Sequence, residues 1–105
     1  MDFLVCRYGL RDYSGLEIYI ALADVKDQEE AVSEAKKIAQ KTREGATVAL
    51  FTRDGNEAIC GWKVKEGGRL ESEDVQAIKD ACRPGVGAFE LAKRQAEEKK
   101  HQPAR

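Results

Sequence analysis

Three strand-forming segments of this chain carry apolar side chains on both alternating faces, so whatever sheet they build has two sides to bury. In Leu16 to Val25, the residues Leu16, Ile18, Ile20 and Leu22 fall on one side and Tyr19, Ala21, Ala23 and Val25 on the other. Ala46 to Thr52 and Glu57 to Val64 repeat this pattern around Arg53-Asp54-Gly55-Asn56. The Asp-Gly pair marks a tight hairpin, because both central residues of a type I′ turn need positive φ. With Asp54 and Gly55 as the loop, Phe51 faces Ala58, Ala49 faces Cys60 and Thr47 faces Trp62. Leu50 with Ile59 and Val48 with Gly61 then occupy the other face. One helix covers one face, so the second needs further helices or a second copy of the chain.

The other elements follow from local signals. Phe3 to Tyr8 is a β-prone run closed by the turn-rich segment Gly9 to Gly15, and it forms a hairpin with the strand after it. Asp27 and Glu30 make a D-x-x-E variant of the capping box. Ala31, Val32, Ala35, Ile38 and Ala39 continue as the apolar stripe of a first helix that ends near Gly45. After the Lys65 to Arg69 loop, Ser72 is the expected cap of a second helix, with Val75, Ile78 and Cys82 on its buried side. Arg83-Pro84-Gly85-Val86-Gly87 is an elbow, and a third helix runs from Val86 to Lys100 with Val86, Phe89, Ala92 and Ala96 in a stripe. Glu90 is spaced to pair with Arg94, and Lys93 with Glu97. Residues 101–105 form a frayed tail.

The order β-β-α-β-β-α-α implies an α+β fold in one domain over residues 1–100. The expected sheet has four strands and is mixed, with strands 2 and 3 parallel through a crossover helix. Helix 1 lies on one face; the carboxyl-terminal helices lie on the other or reach to a neighbour. A homodimer is expected, because a chain of 105 residues has little else to cover a two-sided apolar sheet.

Composition narrows the function classes. Lys and Arg number 18 against 19 Asp and Glu. Up to residue 92 the body holds 13 bases and 17 acids, whereas the segment from Lys93 on holds five bases and two acids. Nucleic-acid binding wants a basic excess that the body lacks. Nothing resembles a secretion signal, and the longest apolar block, Ile18 to Ala23, falls far short of the roughly 20 residues of a membrane span, so a soluble, cytoplasmic protein is expected. Cys6, Cys60 and Cys82 are odd in number and widely spaced, and read as reduced, hydrophobic thiols. With one histidine, His101, no catalytic dyad, metal site or cofactor motif is expected.

Two surfaces are candidates for binding. One is the sheet end where the topology gathers Arg11, Tyr13, Arg43, Lys65 and Arg69 beside Asp12, Glu44 and Glu66, which would suit an acidic partner or a nucleic-acid strand, or serve only as a solvated loop end. The other is helix 3, where Phe89, Lys93 and Arg94 form an expected interface. The Arg83 to Gly87 elbow matches neither a Walker loop nor G-x-G-x-x-G, and is read as a turn rather than an anion site. Tyr8, Tyr19, Phe51 and Trp62 are read as core rather than as a base-stacking platform. The leading expectation is a non-enzymatic protein-binding module, a small regulator or inhibitor of a larger complex such as a phage or mobile-element factor. The alternative is nucleic-acid binding through Arg11, Tyr13, Arg43 and Arg69.

Overall fold

The computed structural model describes residues 1–9 and 18–101. The strands are β1 (Phe3–Tyr8), β2 (Ile18–Leu22), β3 (Thr47–Thr52), β4 (Ala58–Val64) and β5 (Leu70–Ser72), and the helices are α1 (Gln28–Gln40), α2 (Val75–Ala81) and α3 (Ala88–His101). The strands form one sheet in the order β2-β1-β3-β4-β5, antiparallel at every pairing.

This corrects the expected four-stranded mixed sheet in two respects. β1 lies between β2 and β3, so those two strands share a direction, as the crossover implies, without being neighbours. The physical reason is burial: Phe3, Leu4, Val5 and Cys6 are all buried, and a strand apolar on both faces is best placed inside the sheet. The additional strand, β5, has the sequence Leu-Glu-Ser. Three residues with one apolar side chain carry no readable alternation.

Each face of the sheet is covered by the chain's own helices. Phe3, Val5, Val48, Leu50 and Trp62 meet Ala31, Ala35 and Ala39 of α1 on one side. Leu4, Cys6, Ala49 and Phe51 meet Ile78, Cys82 and Phe89 on the other. Neither face therefore asks for a second copy. The alanines of α1 let its backbone approach the sheet closely, and Asp27 caps it by accepting from the Glu30 N–H at 2.9 Å. Glu30 reaches back to the Lys26 N–H, one residue earlier than a capping box requires. The helix stops at Gln40, short of Gly45, with the Thr42 hydroxyl donating to the Ile38 carbonyl at 2.6 Å. α2 is capped by Asp74 rather than Ser72, which belongs to β5.

The β3–β4 register differs from the expected one by a bulge. Phe51 pairs with Ala58, but beyond it Leu50 pairs with Cys60, Ala49 with Gly61, Val48 with Trp62 and Thr47 with Lys63. The extra residue, Ile59, shifts the phase, putting Trp62 on the α1 side with Val48 and Gly61 under α2. The turn is also not type I′. Gly55 has φ of +75°, while Asp54 is not among the positive-φ residues, and the loop closes through Gly55 N–H to Thr52 O at 2.8 Å and Thr52 N–H to Glu57 O at 3.0 Å. This is the longer hairpin loop built on a turn followed by a left-handed glycine.

Candidate functional site

The two ends of the sheet differ in character. At one end, the Gly45 N–H donates to Val64 O at 2.9 Å, and the Lys65 N–H to Arg69 O at 2.7 Å. Gly9 faces the Gly45 carbonyl across the same end. These contacts gather Arg43, Lys65 and Arg69 as the topology implied, while Arg11 and Tyr13 lie outside the described residues. One cation has acidic company, Lys65 Nζ lying 3.8 Å from Glu71 Oε2, and the Arg69 Nε–H points at the main-chain carbonyl of Glu66 at 3.4 Å.

At the opposite end the hairpin turn docks on the Pro-Gly elbow. A Cβ on Gly55 would stand 2.8 Å from Pro84 Cβ, so only glycine fits this approach, and its positive φ compounds the requirement. Arg53 fastens the assembly: its guanidinium lies 2.6 Å from Glu90 Oε1 and 3.5 Å from Asp2 Oδ2, and sits 4.8 Å over the Phe89 ring. No local signal in the sequence announces this latch, because Phe89, Glu90 and Asp2 lie 36, 37 and 51 positions from Arg53. Glu90 was spaced for Arg94 and takes Arg53 instead. On one flank of the elbow a cleft of about 290 Å³ is lined by Gln76, Lys79, Asp80, Cys82 and Arg83; on the other a groove of about 500 Å³ runs past Arg53, Asp54, Gly87 and the fully exposed Val86.

The expected helix 3 interface divides. Phe89 is 1% exposed and belongs to the core beneath α3, so it is withdrawn as a contact residue. Its stripe neighbour Ala92 is buried with it, whereas Lys93 and Arg94 remain on the surface. Val86 precedes the helix and stands in solvent instead of continuing the stripe.

Three carboxyls around the latch are held below their ordinary range. Asp2 accepts from the Asp24 N–H, Asp54 from the Thr52 hydroxyl and the Asn56 N–H, and Glu90 from Arg53. A lowered carboxyl contributes stability above its unfolded value, about 3.9 to 4.3, and loses it as pH falls through the folded value. The thermal unfolding midpoint should therefore hold from neutrality to about pH 5 and decline below about pH 4. That decline should be shallower in Arg53→Met, which removes the partner of Glu90 and Asp2. An identical profile in the variant would refute the latch.

The second face also brings two of the three thiols together. Cys6 Sγ and Cys82 Sγ are 2.8 Å apart and both are buried, although 76 positions separate them. Cys60 lies across the sheet, packed on the α1 side, where burial pushes its thiol pKa up. Tyr8 borders the sulfur pair. Burial, reinforced by the neighbouring Cys82, Glu73 and Cys6, raises its phenol to about 12 against a hydrogen bond with Thr47.

Comparison with protein-family models, curated proteins and solved structures finds no match to this chain. Among the described residues, no helix is long and apolar enough to cross a membrane.

Proposed function

We propose that this chain is a non-enzymatic protein-binding module, acting as a small regulator or inhibitor that takes an extended strand of a partner protein along β2. The observation that carries this reading is the contrast between the two sheet edges. β5 is three residues long, with Glu71 beside Lys65, which is how proteins guard an edge against pairing. β2 is Ile-Tyr-Ile-Ala-Leu, five half-buried residues without a charge, a proline or a bulge, and among the described residues no strand pairs with its outer side. Its outward N–H and C=O groups offer main-chain hydrogen bonds, and its flanking side chains offer apolar contact. Nucleic-acid binding at the loop end has less support, because Glu71 stands beside Lys65 among its cations.

Ile18→Glu tests the reading. Ile18 pairs with Arg7 across β1 and β2, so the new carboxylate meets an opposite charge and the fold tolerates it while the edge becomes guarded. Wild-type protein should retain a stoichiometric partner from a native lysate, and the variant should lose at least about tenfold in affinity, or about 1.4 kcal/mol. Equal capture by both would sink the proposal. Light scattering distinguishes a foreign strand from a second copy: a wild-type dimer that Ile18→Glu dissociates would mean that the edge pairs with itself.

A further inference from the structure

We infer that Cys6 and Cys82 form a peroxide-responsive thiol pair that closes into a disulfide between β1 and the end of α2. Three observations point this way. The sulfur atoms, at 2.8 Å, need approach by only about 0.8 Å to reach the bond length of about 2.05 Å. Both thiols are buried, but Cys82, at 1% exposure, borders the cleft of about 290 Å³ beside the elbow, which is large enough for a small hydroperoxide, whereas Cys6 lies within the sheet. Lys79 and Arg83 line that cleft with Asp80, so a hydroperoxide entering it meets hydrogen-bonding side chains beside the sulfur pair.

The chemistry runs in two steps. Cys82 Sγ, as thiolate, attacks one oxygen of hydrogen peroxide. The O–O bond breaks, and the departing hydroxide takes up the thiol proton as water, leaving a sulfenic acid on Cys82. Cys6 Sγ then attacks Cys82 Sγ, the S–S bond forms, and the sulfenic hydroxyl leaves as a second water with the Cys6 proton. Two thiols have lost two electrons and one peroxide has become two waters. Cys60, on the far face, takes no part.

The bond would tie the first strand to the helical layer that covers it. Closing a loop of this length restricts the unfolded chain strongly, so oxidation should raise the thermal midpoint by about 10 °C. The test treats the purified full-length chain with hydrogen peroxide, then alkylates it under denaturing conditions. The expected result is a mass lower by two hydrogen atoms, one alkylatable thiol instead of three, a linked peptide containing Cys6 and Cys82, and reversal by dithiothreitol. Cys60→Ser should behave identically apart from its missing thiol, and needs no change in the core pair. Three alkylatable thiols after treatment, sulfinic acid on Cys82, or a disulfide-linked dimer through Cys60 would each overturn the inference.

Discussion

Phe89→Ala should cost about 3–5 kcal/mol of folding stability, the range for removing a fully buried aromatic ring. Phe89 is 1% exposed and fills the space between α3 and the cluster of Leu4, Phe51, Ile78 and Cys82. The rest of the helix has little to replace it, since among its described side chains Ala92 is the other buried one and Leu91 is 52% exposed. The ring also supports the Arg53 guanidinium 4.8 Å away, so the same substitution loosens the latch to the hairpin. Against a total of about 5–15 kcal/mol for a domain this size, such a loss is a large share. Urea unfolding followed by circular dichroism measures it, and hydrogen exchange should show α3 losing protection before the sheet does. A loss under about 1 kcal/mol would mean that α3 is held by something other than this side chain.

The second large effect is expected at Gly61, where the bulge puts a glycine directly beneath α2. A Cβ there would stand 2.6 Å from Ile78 Cδ1, 3.0 Å from Val48 O and 3.3 Å from Ala49 Cα. The isoleucine methyl can rotate away, but the backbone of β3 cannot. Gly61→Val should therefore cost about 3 kcal/mol by overpacking. Adding Ile78→Val, which removes the methyl nearest the clash, should recover part of that loss, with a coupling energy of about 1 kcal/mol in a double-mutant cycle. Strict additivity of the two substitutions would show that the obstruction lies wholly in the backbone.

The elements whose signals are local were legible in the sequence, and the relations between them were less so. The β-prone run Phe3–Tyr8 and the alanine stripe of α1 are local patterns, and both elements form where those patterns lie. The two-sided apolar character of the strands foretold a sheet covered on both faces, but left open whether the second cover would be the chain's own helices, which do lie there, or a second copy. The strand β5 escaped, as did three relations between elements. The place of β1 between β2 and β3 depends on a competition among strands that hairpin signals do not address. The bulge at Ile59 depends on how the hairpin loop closes, and a single extra residue reversed the faces of Gly61 and Trp62. Asp24, at φ of +60°, has a similar effect after β2 and brings Val25 round to the α1 side, where strict alternation had placed it with Tyr19 and Ala21. At the candidate sites, the gathering of Arg43, Lys65 and Arg69 followed from topology, whereas the Arg53 latch and the Cys6–Cys82 contact join distant positions.

The central position of β1 has a consequence for how the protein is made. β1 leaves the ribosome well before its second neighbour β3, at Thr47 to Thr52, so its backbone cannot be satisfied on both sides until that later segment has also been synthesised. Until then Phe3, Leu4 and Val5 remain an apolar segment in search of a sheet. Pairing over such sequence distance is slow, and exposed strands of this kind are where nascent chains associate wrongly. Synthesis of this protein therefore favours conditions that shelter β1, and mutations that delay β3 should lower yield before they lower stability.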